Sequence, residues 1–313
     1  MKAIVCPKYG PPEVLRIAEV DKPFPTDDEL CVKIHASAVT ASDIFIRGSQ
    51  IALRYWVPMR LALGLTKPRR SIIGLVLAGR IESVGANIRR FRPGDEVYGL
   101  TGFGLGAYAE YKCMRETDST YGCLALKPNN LTYEEATTAA YGGLLAFQAM
   151  EKGSIGPGRK VLVYGASGTS GTMAVQLAKR LGAEVTAVCS TANLQLVRSL
   201  GADKTIDYTT DRSPAPGERF DFVLDAVGKQ KTSSLKDACR NALSPGGTYA
   251  SIDDEKLLLD SKRLDSIREL VEAGHIKPVL DRCYPLEEIV EAHRYVGAGH
   301  KRGGVAVTVA SAR

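Results

Sequence analysis

The residues with the clearest chemistry are a run of small ones, Gly165-Ala166-Ser167-Gly168-Thr169-Ser170-Gly171, directly after the apolar Val161-Leu162-Val163-Tyr164. In register the run reads A-x-G-x-x-G, with Ala166 in the first glycine's place and Gly165 just before it. A strand that turns sharply into a helix at such a run offers backbone N–H groups and a helix N-terminus to an anion. Gly168 lets the backbone approach a pyrophosphate, and Gly171 lets the helix pack closely on the strand. The chemistry implied is dinucleotide binding; an ordinary tight strand-to-helix turn is the plain alternative. No Lys-Ser/Thr follows the last glycine and no register gives G-x-S-x-G, so a triphosphate loop and a hydrolase elbow are both excluded.

The residues beyond the next strand bear on which dinucleotide. NAD-selective folds place Asp or Glu about 20 residues past the loop, where it holds the ribose hydroxyls. Here the stretch is Val188-Cys189-Ser190-Thr191-Ala192-Asn193. It has no carboxylate to repel a 2′-phosphate and three short polar side chains to donate to one, which favours NADPH. The accompanying cation is Arg198 or Lys204, each equally readable as surface charge; Arg198 has the planar donor fork that suits a phosphate.

Elements must hold these groups in place. Residues 1–126 read as β-rich, with strands at 30–39, 72–84 and 97–100 and a Pro93-Gly94-Asp95 turn before the last, consistent with a small barrel or sandwich. From residue 127 the character changes. A helix starts over 131–139, and a strand at 161–164 leads into a helix over 169–181, with Ala174, Leu177, Ala178 and Leu181 on one face. Strands at 184–188, 204–206, 222–224 and 247–252 alternate with helices at 194–200, 233–243 and 261–273. This alternation predicts an α/β fold with a doubly wound parallel sheet. A strand at 283–285, a helix over 286–295 and a strand at 305–309 return to the first domain. The expected domains are 1–126 with 277–313, and 127–276 between them. Only DDEKLLLD separates the 247–252 strand from the next helix. A crossover takes about a dozen residues, so no sixth strand is expected. Asp253, Asp254 and Glu255 are placed to charge the exposed edge.

Composition narrows the class. The net charge of +6 is scattered, with short clusters at 67–70 and 89–92 and no interleaved aromatic run, so nucleic acid is an unlikely partner. No run of about 18 apolar residues suggests a membrane span, and the N-terminus does not read as a signal peptide. The seven cysteines are odd in number and form no CxxC pair. That argues against a disulfide framework or zinc knuckle and suits reduced thiols in a cytoplasmic protein. Residues 51–66 read either as a mobile lid over a hydrophobic substrate or as a helix packed on the core. Tyr108-Ala-Glu-Tyr-Lys112 spells a YxxxK pair, but ahead of the glycine loop, and reads as a β-strand.

The glycine loop, the run VTAVCSTANLQLVRSLGADKTIDY, the N-terminal VTASD and VGANIRRFRPGDEVYG together resemble the zinc-free, zeta-crystallin-like quinone oxidoreductase branch of the medium-chain dehydrogenases/reductases, over almost the whole chain. The resemblance implies a GroES-like β-rich substrate domain, a Rossmann domain and hydride transfer in the cleft between them. Zinc-dependent relatives place a Cys where this chain has Thr40, a His-Glu pair at Leu75-Val76 and a Cys near Tyr141. None of these is a ligand here, and His35, His275, His293 and His300 match none of the family's ligand positions, so no catalytic metal is expected. Many relatives carry Asn at the place of Thr40. The resemblance makes Thr40 and Tyr141 lining residues of the substrate site, with Asp43 either orienting its neighbours or serving as a structural turn residue. Tyr208 matches a tyrosine near the adenosine 2′-phosphate, or packs a strand end. Ala226, Val227 and Gly228 complete the cofactor set. Relatives dimerise through a further edge strand; without it this chain is expected to be a monomer or a non-standard homodimer. Lacking a Lewis acid, oxidation of a simple alcohol is hard. Quinones and α,β-unsaturated carbonyls accept hydride with positioning and a few hydrogen-bond donors. The expected activity is NADPH-dependent reduction of a quinone or enone. A non-catalytic NADPH-binding crystallin-like or RNA-binding protein and an alcohol dehydrogenase are the alternatives.

Overall fold

The computed structural model describes residues 1–48, 63–229 and 231–309. In chain order the elements are β1 (Lys2–Val5), β2 (Arg16–Glu19), β3 (Glu29–Ala38), α1 (Ala41–Gly48), β4 (Val76–Val84), β5 (Glu96–Leu100), β6 (Tyr111–Arg115), β7 (Cys123–Leu126) and α2 (Tyr133–Met150). Then come β8 (Lys160–Tyr164), α3 (Thr169–Arg180), β9 (Glu184–Cys189), α4 (Leu194–Ser199), β10 (Lys204–Asp207), β11 (Phe220–Asp225), α5 (Ser234–Asn241) and β12 (Leu243–Ser251). The last are α6 (Ser261–Glu272), β13 (Leu280–Pro285), α7 (Ile289–Ala298) and β14 (Gly304–Thr308). The chain divides into two compact units, Met1–Ala140 with Leu259–Arg268 and Leu280–Arg313, and Tyr141–Leu258 with Glu269–Val279. Most of the stretch read as a lid or core helix, residues 51–62, lies outside the described residues.

The first unit is built on a seven-stranded sheet in the order β13-β14-β3-β4-β5-β7, with β6 also on β3. All its pairs are antiparallel except β13 with β14. Leu30, Val32 and Ile34 alternate along β3 into a core shared with Leu77, Ile81, Val97 and Leu124, the period of two that a one-sided strand requires. β4 begins at Val76, later than its apolar run, because Gly74 turns with φ +104 and the Tyr108 ring lies where a side chain would stand. Tyr108 itself precedes β6; of the stretch 108–112 only Tyr111 and Lys112 are in that strand.

The second unit holds a parallel sheet in the order β10-β9-β8-β11-β12. Its central strands are apolar on both faces, as strands covered by helices must be: Val161, Leu162, Val163, Val185, Ala187 and Val188 are fully buried. Ala174, Leu177 and Ala178 are buried on α3, but Leu181, just past its end, is 47% exposed. The order reverses between β8 and β11, which opens a crevice at their carboxyl ends. Residues 252–260 form no strand, so β12 has one neighbour, β11. The acids beyond it are matched locally: Asp254 pairs with Lys152 and Lys229, and Glu255 with Lys152. Among the described residues no helix is long and apolar enough to cross a membrane.

Candidate cofactor and substrate site

The glycine loop sits at the carboxyl end of β8. The N–H groups of Gly165 and Ala166 both donate to the Val188 carbonyl, at 3.1 and 3.0 Å, and tie the loop to β9. Gly165 takes φ +80, and a Cβ there would stand 2.4 Å from Val227 Cγ2. At Gly171 a Cβ would meet the Gly165 carbonyl at 2.2 Å, so its absence is what lets α3 lie against the loop. Gly168 differs. Its φ of −81° and ψ of 176° suit any residue, and an added Cβ would find only the Gly165 carbonyl, at 3.5 Å. The fold therefore does not need glycine there. Gly168 is also the N-cap of α3 with no side chain capping the helix, and Thr169, Ser170 and Gly171 form the first turn. First-turn N–H groups have no partner within their own helix. A loop and helix start of this kind can receive a phosphate.

At the end of β9 the Asn193 amide binds two hydroxyls. Nδ2 donates to Ser167 Oγ at 3.1 Å and to Ser190 Oγ at 3.2 Å, while Oδ1 is buried without a partner. Asn193 is 7% exposed and joins the glycine loop to the turn after β9. Each serine, accepting from Asn193, keeps its own proton to donate. Thr191 is committed elsewhere: its hydroxyl donates to Asp207 Oδ2 at 2.5 Å. The sequence shows no acid after β9, yet the parallel register sets Asp207 of β10 beside Cys189. The Thr191 hydroxyl holds that carboxyl below its ordinary range. Tyr208 is exposed, its N–H bonded to the Cys189 carbonyl at 3.0 Å. Arg198, on α4, donates to Thr205 Oγ1 at 3.0 Å, whereas Lys204 lies between Glu184 and Glu218 at 2.9 and 2.8 Å. Of the two cations, Lys204 is already matched by acids.

Ala226, Val227 and Gly228 follow β11 and face the glycine loop through Val227. They are held by Asp225, which is fully buried. Asp225 Oδ1 accepts from the N–H groups of Val227 and Gly228, both at 3.1 Å. Oδ2 accepts from Tyr249 at 3.0 Å and Ser251 at 3.1 Å, and lies 2.6 Å from Lys236 Nζ. Lys236 also donates to the Gly228 carbonyl at 2.8 Å. The Val227 and Gly228 side of this turn thus ends on one buried ion pair, while the Ala226 N–H donates to the Tyr164 carbonyl at 2.9 Å. An acid closing the apolar run Phe220–Asp225 signals a need for a partner; nothing in the pattern of α5 marks Lys236 as that partner.

In the first unit Thr40 and Asp43 open α1. Thr40 Oγ1 accepts from the Asp43 N–H at 3.2 Å, and Asp43 Oδ2 accepts from the Thr40 N–H at 2.9 Å. This reciprocal arrangement satisfies two helix-end donors. A further contact of 2.5 Å joins Thr40 Oγ1 to Asp43 Oδ2. Thr40 is 4% exposed and Asp43 fully buried. Burial pushes the Asp43 carboxyl up to about 7, against bonds from Thr40 and from the Leu75 backbone. Around it lie Arg47, on the next turn, and Tyr108, whose phenol burial raises well above its ordinary range. Arg47 Nε donates to His293 Nδ1 at 3.2 Å, and burial with that neighbouring charge pushes the imidazole down to about 3. Tyr141 belongs to the second unit, half-buried on α2. Among the described residues no three His, Cys, Asp or Glu side chains gather as a metal group.

Known proteins share this architecture. Family profiles described as "Zinc-binding dehydrogenase" match residues 171–253 and 254–307, and one described as "Alcohol dehydrogenase GroES-like domain" matches 26–124. The chain is 31% identical to NAD(P)H oxidoreductase RTN4IP1, mitochondrial, of Mus musculus, over 99% of this chain and 89% of that one. It is 29% identical to 2-methylene-furan-3-one reductase of Solanum lycopersicum, over 98% and 79% of the two chains. The solved quinone oxidoreductase from Coxiella burnetii shares the fold at a TM-score of 0.82, with 24% identity and 99% of each chain covered. With identity of this order along its full length, the chain belongs to the medium-chain dehydrogenases/reductases, in the quinone oxidoreductase and RTN4IP1 branch.

Proposed function

We propose that the protein is an NADPH-dependent reductase of quinones or α,β-unsaturated carbonyls that works without a catalytic metal. The observation that carries this reading is Gly168, a helix N-cap at the glycine loop where the fold itself would accept a side chain. The residues present fit a dinucleotide. The first turn of α3 receives the pyrophosphate, Ala226, Val227 and Gly228 border the cofactor, and Ser167 and Ser190, oriented by Asn193, donate to a 2′-phosphate. Arg198 supplies the charge nearby, and Tyr208 stands beside the adenosine.

Bound NADPH supplies the hydride. The protein's own task is to hold the acceptor and stabilise the negative charge that develops on its oxygen, a task for hydrogen-bond donors in a dry site. Thr40 is the proposed donor, Asp43 fixes its rotamer, and Tyr141 is the second lining residue. The tomato relative, by its name, reduces a conjugated ketone, in line with this acceptor class. The seven unpaired thiols suit a reducing compartment, the cytoplasm among them. With β12 at the sheet edge, we assign a monomer or a homodimer through another surface.

Steady-state NADPH consumption with a panel of quinones, enones and saturated alcohol–ketone pairs tests the assignment. Turnover with quinones or enones and little with saturated ketones is expected. Tight cofactor binding with no turnover on any acceptor would identify a binding protein instead.

A further inference from the structure

We propose that Asp43 is a protonation switch for Thr40: the Thr40 hydroxyl can donate a hydrogen bond to a substrate oxygen only while Asp43 carries a proton. The inference deepens the proposed function and rests on Thr40 facing the acceptor.

Counting hydrogen bonds leads to it. A threonine hydroxyl has one proton and two lone pairs. One lone pair of Thr40 Oγ1 is filled by the Asp43 N–H, at 3.2 Å. The 2.5 Å contact with Asp43 Oδ2 holds one proton between two oxygens. If Asp43 is ionised, that proton belongs to Thr40, and the hydroxyl has nothing left but a lone pair. It can then only accept, which is useless against the oxygen of a carbonyl or quinone. If Asp43 is protonated, it donates to Thr40, fills the second lone pair, and frees the Thr40 proton to point at the acceptor.

The surroundings favour the protonated form near neutrality. Asp43 is fully buried, and the bonds it accepts come from Thr40 and the Leu75 backbone. Holding an ionised carboxylate away from water is costly even with those bonds. The titratable and charged groups packed around it are Arg47 on α1 and Tyr108 ahead of β6, with Cys6, Glu13 and His293 beyond Arg47. His293 remains neutral, with Nδ1 accepting from Arg47. Burial accordingly holds the Asp43 carboxyl up to about 7, inside the range where a modest pH change reverses its state.

The sign follows. Donor capacity is complete below this value and is lost as pH rises through it. kcat/KM for an enone should therefore fall on the alkaline side, by about tenfold per pH unit. Asp43→Asn cannot titrate, so its alkaline limb disappears; both Thr40 contacts fall on Oδ2, so an amide NH2 turned to Thr40 Oγ1 gives up the Thr40 N–H bond, and the variant outruns the wild type only at high pH. Thr40→Val has no hydroxyl to switch; its rate is low and flat, and the wild-type rate converges on it as pH rises. An Asp43 that only caps α1 would leave the wild type with no alkaline limb, or with one that persists in both variants, and either result overturns the inference. A readout independent of turnover keeps the two proposals separable. In infrared difference spectra against Asp43→Asn, a protonated-carboxyl band should be present near about pH 6 and lost by about pH 8. A band already absent at the lower pH contradicts the switch, even if no acceptor is reduced and the function reading itself fails.

Discussion

Lys236 Nζ lies 2.6 Å from Asp225 Oδ2, with both side chains nearly or wholly buried, and between them they hold the N–H and the carbonyl of Gly228 in the Ala226–Gly228 turn. Removing one member of a buried pair leaves the other charge unmatched, at a cost of about 3–5 kcal/mol. Lys236→Met should destabilise the protein by that order in urea unfolding and weaken NADPH binding by loosening the turn. A loss under about 1 kcal/mol would show that the pair is solvated or dispensable.

Two glycines of the loop should respond differently to substitution. Gly168→Val places its side chain in open space, so the melting temperature should hold while cofactor binding is lost. Gly171→Ala drives a methyl into the Gly165 carbonyl, 2.2 Å away, and should cost stability, on the order of 1–3 kcal/mol for overpacking. Calorimetric titration beside thermal melts separates the two effects. A folded Gly168→Val that binds NADPH with full affinity would remove the loop from the cofactor site.

Cofactor choice should rest on Ser190. NADPH is expected to bind at least several-fold more tightly than NADH, and Ser190→Ala should narrow that ratio. Asp207 acts in the opposite sense, its carboxylate accepting from the Thr191 and Thr209 hydroxyls. Side-by-side fluorescence titrations measure the ratio; NADH emerging as the tighter ligand would overturn the assignment.

Much of this was legible in the residues, and the part that was not has a common cause. The βαβ alternation gave the parallel α/β sheet, because helix and strand periods are local properties of the chain. The lack of a sixth strand followed from counting eight residues. Tyr108 was misplaced because its two neighbours alternate like a strand, while Gly74 and the buried ring impose a bend. The sites missed were made by distant partners. Arg47 and His293 are 246 residues apart, and Asp207 reaches Thr191 only through the register of parallel strands. Lys236 reads as a solvent-facing residue until Asp225 is placed beneath it.

His293 should make the protein acid-sensitive. Its folded pKa is pushed below the ordinary value of 6.5 to about 3. Stability is therefore complete above 6.5 and is lost as pH falls toward 3. At about pH 5 the loss amounts to about 2 kcal/mol. His293→Gln keeps an acceptor for Arg47 and cannot titrate, so its stability should change less between about pH 7 and 5 by that amount. Equal slopes for the two proteins in urea unfolding would show that His293 is protonated in the folded state.

The central claim is hydride delivery from NADPH to an activated acceptor without a metal, and isotope tracing reads it directly. NADPH carrying deuterium at C4 of the nicotinamide should transfer the label to the β-carbon of an enone, at a rate unchanged by prior treatment with a chelator. Label at the carbonyl carbon, or turnover that stops on chelation, would contradict the account.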